Sequence, residues 1–222
     1  MRPLAVLRPE PGASATLARA QAMGLEVLAI PLFAIEPLPW TLPDPREFDA
    51  LLLTSANAVH GAGGGLNGLK ALPVHAVGAA TGKAAASADL TVKTVGTGGI
   101  RELLEALPAG LKLLHLCGEH RRAPNLPRQQ LTSLPIYRSA EIDDPGGLER
   151  LAGAVVLVHS PRAGRRLSEL MTERSRTVVV AISAATADAC GSGWERVAVS
   201  ERPEDEAMLS LAETLCKESL PK

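Results

Sequence analysis

The chain repeats itself. Asp49-Ala-Leu-Leu-Leu-Thr-Ser-Ala-Asn-Ala58 is echoed by Ala154-Val-Val-Leu-Val-His-Ser-Pro-Arg-Ala163, which places Ser55 and Ser160 105 positions apart. Val77-Gly-Ala-Ala-Thr-Gly-Lys-Ala84 aligns with Ile182-Ser-Ala-Ala-Thr-Ala-Asp-Ala189, and Thr81 and Thr186 are again 105 apart. Two matches at one offset, with no gap between them, mark an internal duplication on the scale of a whole domain, far longer than a solenoid repeat.

Each copy has the same grammar. An apolar run ends in a hydroxyl residue and a small-residue turn opens a helix. A second apolar run then ends in a small-residue turn carrying a threonine, and another helix follows. That is how a parallel α/β sheet is written, and its ligands bind at the carboxyl ends of the strands. Ser55, Thr81, Ser160 and Thr186 are therefore expected at the rims of two similar sheets, as helix N-caps and as ligand contacts if the rims face each other.

At 222 residues the chain fits two domains of roughly 100 residues each, and the duplication favours that division. Proline-rich 37–45, with four prolines in nine residues, reads as a stiff linker. The polar stretch 138–147 reads as a second. The middle domain then covers 46–137, and the other is discontinuous, 1–36 plus 148–222. Each holds five apolar strands, enough for a small flavodoxin-like doubly wound parallel sheet. Extended pieces at 31–36 and 134–139 run in opposite directions and are expected to pair as a two-stranded tie, with the active-site cleft between the domains.

Local signals place helices at 14–23, 81–88, 100–107, 125–131, 162–172 and 205–217. In the last, Met208, Leu209, Leu211, Ala212 and Leu215 form one apolar face. The segment after Ser55 starts as a helix but runs into Gly61-Ala-Gly-Gly-Gly65, which reads as a flexible loop.

Apolar residues make up 46% of the chain, enough for two cores, while formal net charge is −1 and aromatics are 2%, so neither a phosphate backbone nor stacked bases is an expected partner. No run approaches the ~20 apolar residues of a membrane span, and the opening stretch is too short for a secretory signal. Cys117, Cys190 and Cys216 are odd in number and lack Cys-x-x-Cys spacing, as expected of reduced thiols in a cytoplasmic protein. Nothing demands an oligomer, so a monomer is expected.

Familiar motifs fail on inspection. Gly78-x-x-x-Gly82-Lys83-Ala84 is one residue short of a phosphate loop, and alanine stands where a magnesium-binding hydroxyl belongs. Gly96-x-Gly98-x-x-Arg101 lacks the third glycine of a dinucleotide fingerprint. His115, Glu119 and His120 have no second cluster to complete a metal site. No Gly-x-Ser-x-Gly elbow surrounds Ser55 or Ser160. What remains is two rims of helix N-termini, small residues and hydroxyls, which suit carboxylates or phosphates. Arg8, Arg138 and Arg162 are the candidates to add full positive charge.

The order of these pieces resembles the uroporphyrinogen-III synthase family. The residues that carry the likeness are Val6-Leu7-Arg8-Pro9, Leu53-Thr-Ser-Ala-Asn-Ala58, Val77-Gly-Ala-Ala-Thr81, Leu116-x-Gly118-Glu-x-x-Arg122, Pro135-Ile-Tyr137-Arg138, His159-Ser-Pro161 and Ser183-Ala-Ala-Thr186-Ala. The likeness covers nearly the whole chain. Cys117 departs from it, standing where an arginine is common, and so does the 61–65 glycine run.

The resemblance implies a linear tetrapyrrole substrate, hydroxymethylbilane, closed to the cyclic type III isomer with loss of water and inversion of the last ring. It implies no metal and no organic cofactor, and it allows a transient handover from hydroxymethylbilane synthase. Tyr137 is the only tyrosine, and it resembles the family's cleft tyrosine, proposed to assist departure of the hydroxyl. The substrate-binding set so implied is Arg8, Thr54, Ser55, Ala56, Gly78, Thr81, Arg138, Ser160, Arg162, Ala185 and Thr186. A reading from another class is a non-catalytic two-domain sensor for a small polycarboxylate, since fold does not fix function.

Overall fold

The computed structural model describes residues 1–120 and 128–218. In chain order the first half runs β1 (Leu4–Val6), α1 (Gly12–Ala22), β2 (Val27–Ala29), β3 (Phe33–Pro37), β4 (Ala50–Leu53), α2 (Ala56–Ala62), β5 (Val74–Val77), α3 (Ala79–Ser87), β6 (Val92–Gly96) and α4 (Ile100–Ala106). It continues with β7 (Lys112–Gly118), β8 (Gln130–Glu141), β9 (Val155–Val158), α5 (Pro161–Leu170), β10 (Val178–Ala181), α6 (Ala184–Cys190), β11 (Arg196–Val199) and α7 (Asp205–Lys217). Among the described residues no helix is long and apolar enough to cross a membrane.

The chain divides into two compact units, Met1–Ala34 with Glu141–Lys222, and Ile35–Ala140. The first holds a sheet in the order β11-β10-β9-β1-β2, all parallel. Val155 and Leu157 join Leu4, Val6, Val178 and Val180 on one face, under α1 and α7. Val156 and Val158 join Ala5 and Val179 on the other, under α5 and α6. Strands covered on both faces read as unbroken apolar runs, which is why Val155-Val-Leu-Val158 has no polar alternation. Each buried valine or leucine among them contributes about 1.5–3 kcal/mol.

The second unit's sheet runs β3-β8-β7-β4-β5-β6, with β4 through β8 parallel. Helices α2 and α3 cover one face, with Ala58, Val59, Ala62 and Ala85 buried. Helix α4 covers the other, with Leu103, Leu104 and Leu107. The duplication extends through whole elements: β4 shifted by 105 positions is β9, and α4 so shifted starts where α7 starts. The sheet orders agree once β1 and β2 are read in the places of β7 and β8, so the repeat is circularly permuted about the chain ends.

Three local expectations need correction. The glycine run is not a loop: Gly61 belongs to α2, and a 3-10 helix spans Gly63–Leu69. A Cβ on Gly65 would lie 2.2 Å from Trp40 Cζ2, and one on Gly68 2.4 Å from a Leu42 methyl. The glycines let the proline-rich segment lie directly on the helix backbone. Second, the helix expected at 125–131 is strand at Gln130 and Leu131, and residues 125–127 lie outside the described residues. Pairing with β7 from Lys112↔Gln130 onward overrides the local helix propensity. Third, the linkers are partly strand, because β3 reaches Pro37 and β8 runs on to Glu141.

Candidate functional site

In the second unit the carboxyl end of the sheet is set by register. Leu53 pairs with Leu116, and Gly118 pairs with Tyr137. Ser55 and Gly118, each two residues past a paired leucine, are therefore level with Tyr137. Ser55 is the N-cap of α2, its Oγ accepting the Asn57 N–H at 3.2 Å. The Tyr137 ring stands where glycines leave room. A Cβ on Gly61 would be 3.1 Å from Tyr137 Cβ, and one on Gly118 would be 3.0 Å from its Cε2 and Cζ and 3.2 Å from its hydroxyl.

Burial raises the Tyr137 phenol above its ordinary value of 10.0, partly offset by a hydrogen bond with the Ser55 side chain, with a further push upward from Cys117. At neutral pH it is an O–H donor. Thr54, next to Ser55, pairs its hydroxyl with His115 Nε2 at 3.1 Å, and His115 Nδ1 meets Ser133 Oγ at 3.3 Å. His115 is buried, so it is part of the packing beneath the rim.

In the first unit the corresponding rim is polar and tightly bonded. Val6 pairs with Leu157, so Arg8 and His159, each just past the end of its strand, are level on neighbouring chain segments. Asp205, the first residue of α7, collects them. Its Oδ1 accepts from His159 Nε2 at 2.8 Å and Thr16 Oγ1 at 2.9 Å. Its Oδ2 accepts from Arg19, and Arg8 Nη1 stands 3.5 Å from Oδ1. Burial pushes the Asp205 carboxyl upward, but the hydrogen bonds from His159 and Thr16, with the charges of His159 and Arg8, outweigh it and hold it at about 2. Burial lowers His159 below its ordinary value, against the opposing bond to Asp205.

The expected caps divide. Ser160 caps α5, its Oγ accepting the Ala163 N–H at 3.1 Å. Thr81 and Thr186 are not caps. Gly78, at φ +81°, and Ser183 hold those positions, and each threonine sits buried in the first turn behind them. Ser183 Oγ accepts the Thr186 N–H at 3.3 Å and meets the Thr186 hydroxyl at 3.1 Å. The Gly78 N–H is committed to Gly96 O at 2.8 Å. Ala56 and Ala185 lie in the first turns of α2 and α6, where backbone N–H groups lack partners within the helix.

The remaining arginines are engaged. Arg138 donates to Glu36 at 2.8 Å with both side chains exposed. Arg162 lies 3.3 Å from Glu141 and packs over the Phe33 ring, 4.5 Å from its centroid. Arg122 lies outside the described residues. Among the described residues no three His, Cys, Asp or Glu side chains gather as a metal site.

Sequence reasoning passed over Asp205, Thr16, Gly61 and Gly118. Asp205 has a local explanation as an acid opening a helix, which hid its long-range partners. The signal for Gly61 was present, since glycine inside a helix costs about 1 kcal/mol relative to alanine and calls for a packing reason.

A family model described as uroporphyrinogen-III synthase HemD matches residues 14–210. No curated protein matches the chain. Among solved structures, uroporphyrinogen-III synthetase from Helicobacter pylori gives a TM-score of 0.68 at 19% identity, covering 97% of this chain and 100% of its own. A mutant uroporphyrinogen III synthase from the extremely thermophilic bacterium Thermus thermophilus gives 0.53 at 21% identity, covering 98% and 100%. At these identities the structural likeness speaks for the fold, a mixed α/β fold with parallel sheets.

Proposed function

Because the chain belongs to the uroporphyrinogen-III synthase family, we propose that it works chiefly by orientation, with Tyr137 as the side chain aimed at the departing hydroxyl. The reaction is the cyclisation of hydroxymethylbilane to uroporphyrinogen III, with loss of water and inversion of the last pyrrole ring, a step of tetrapyrrole biosynthesis. Membership of an enzyme family leaves no place for the sensor reading.

Loss of the hydroxyl leaves a reactive azafulvene, and the linear chain can then close unaided to the uninverted isomer. The difficult task is to bring the substituted carbon of the last ring to the azafulvene, forming a spiro intermediate. Holding reactants in attack geometry is worth about 7–11 kcal/mol in favourable cases. A substrate with many carboxylates is held by many modest contacts. In this reading they come from the first-turn N–H groups at Ala56 and Ala185, the hydroxyls of Thr54, Ser55 and Ser160, and the charges of Arg8, Arg138 and Arg162. Thr81 and Thr186, buried behind the caps, shape the turns, as does Gly78. The Tyr137 phenol donates its proton to the hydroxyl as water leaves. The pyrrole N–H proton released on forming the azafulvene restores it.

The same reading keeps two flavodoxin-like doubly wound domains, 1–36 with 148–222 and 46–137, tied through 37–45 and 138–147. It places the enzyme in the cytoplasm, receiving an unstable substrate by handover from hydroxymethylbilane synthase.

The observation that carries the proposal is Tyr137, protonated and half-buried, set between Gly61 and Gly118 at the level of the Ser55 cap. The test is Tyr137→Phe, assayed with freshly made hydroxymethylbilane and scored as isomer III against isomer I. Loss of a positioned general acid is expected to lower turnover by about 10²-fold or more, with stability nearly kept. Unchanged turnover would remove Tyr137 from the chemistry.

A further inference from the structure

We infer that Asp205 is a positioning residue for substrate binding: with Thr16 it fixes one end of the Arg8 guanidinium, so that the Nε/Nη2 edge is held ready for a substrate carboxylate. The inference rests on the reading of Arg8 as a carboxylate-binding side chain.

Arg8 Nη1 donates to Thr16 Oγ1 at 3.3 Å and stands 3.5 Å from Asp205 Oδ1. Among the described residues, Nε and Nη2 of Arg8 have no protein hydrogen-bond partner, and the side chain keeps 34% of its exposure. That pair of N–H groups is the fork that grips a carboxylate through two parallel bonds. The guanidinium is laid against the first residue of α1. A Cβ on Gly12 would lie 2.5 Å from Nε and 2.7 Å from Nη2, so a larger residue there would push the guanidinium out of this position.

Asp205 is itself held on every side. Thr16, with no exposed surface, donates to the carboxylate, and its hydroxyl oxygen accepts from Arg8, so it links the two charges. Arg19 and His159 fix the same carboxylate from α1 and from the end of β9. Two arginines share one carboxylate, so the group keeps a net positive charge that favours an anion at the rim. An arginine free in solvent would lose rotamer freedom on binding. One already anchored at Nη1 loses less, and the saving appears as affinity.

The test is steady-state kinetics with hydroxymethylbilane on Arg8→Ala, Asp205→Asn, Thr16→Val, Arg19→Ala and the double variant Arg8→Ala/Asp205→Asn. Asp205→Asn is expected to raise KM about tenfold with kcat held within about twofold, the signature of lost uniform binding. It is expected to add nothing to KM where Arg8 is already Ala. Thr16→Val should follow the same pattern, and it carries the test if Asp205→Asn fails to fold. Arg19→Ala, which loosens the carboxylate without touching Arg8, should move KM least. An unchanged KM in folded Asp205→Asn, or the same rise with and without Arg8, overturns the inference. An unchanged KM in Arg8→Ala instead removes the reading of Arg8 on which it stands, while the Tyr137→Phe turnover reports separately on the chemistry.

Discussion

Replacing Gly118 by alanine tests whether Tyr137 works through its placement. The added Cβ would lie 3.0 Å from Cε2 and Cζ of the ring and 3.2 Å from the hydroxyl oxygen. Ordinary carbon contacts are about 3.5–4.0 Å, so the ring must retreat by roughly 0.5–1 Å. The backbone at Gly61 crowds the base of the side chain, 3.1 Å from Tyr137 Cβ to a Cβ built on that glycine. The ring therefore pivots about its base, and the hydroxyl moves most. A misplacement of about 1 Å costs up to about 10²-fold in rate, so kcat is expected to fall between about 10- and 100-fold. The overpacking costs about 1–3 kcal/mol of stability, partly offset by the smaller freedom of alanine in the unfolded chain. The assay is the initial rate and isomer ratio of uroporphyrinogen formation, beside a urea-unfolding curve. Full turnover in Gly118→Ala would refute the reasoning. So would an equal loss where Tyr137 is already Phe, because the added methyl would then act on something other than the phenol.

Three further outcomes follow from the same geometry. Tyr137 is the only tyrosine, so the tyrosinate absorbance band reports on it alone; the transition is expected above 10, and higher still in Ser55→Ala, which removes the hydrogen bond that lowers it. Asp205 is ionised and well bonded in the fold, with its carboxyl brought from 3.8 to about 2. Its contribution, about 2 kcal/mol, is present above pH ~3.8 and lost as pH falls through about 2. Buried His159 resists protonation, so stability also declines as pH falls below its ordinary value of 6.5; urea midpoints against pH should show both declines, and Asp205→Asn should flatten the lower one. Gly65→Ala puts a methyl 2.2 Å from Trp40 and is expected to cost about 1–3 kcal/mol, with a red-shifted tryptophan emission; an unshifted spectrum and unchanged stability would mean the glycines are not there for Trp40.

Much of the fold was legible because its signals are local. Val155-Val-Leu-Val158 announces a strand buried on both faces, and Ser55 and Ser160 announce the helices they cap. Thr81 and Thr186 misled because a hydroxyl at a strand-to-helix turn has two places to go. Where Gly78 or Ser183 already holds the cap position, the threonine three residues on is carried into the packed first turn. The glycine run misled for a different reason. Glycine is poor in an isolated helix, but here its missing side chains are filled by Trp40 and Leu42, more than twenty residues away in sequence. The rim of the first unit was the least legible part, because Arg8, Thr16, His159 and Asp205 come from three distant segments with no shared spacing.

The amino-acid order alone determined the strand–turn–helix units and their apolar interiors, because each depends on periodicity and turn chemistry within a few dozen residues, while the family likeness rested on the order of motifs along nearly the whole chain. Which polar groups meet was decided only by strand order and register. Laying β1 beside β9 brings Arg8 level with His159, and laying β7 beside β8 brings Gly118 level with Tyr137. Short-range bonding between such groups depends on ångström distances, and separation along the chain carries no information about those until the sheet is assembled.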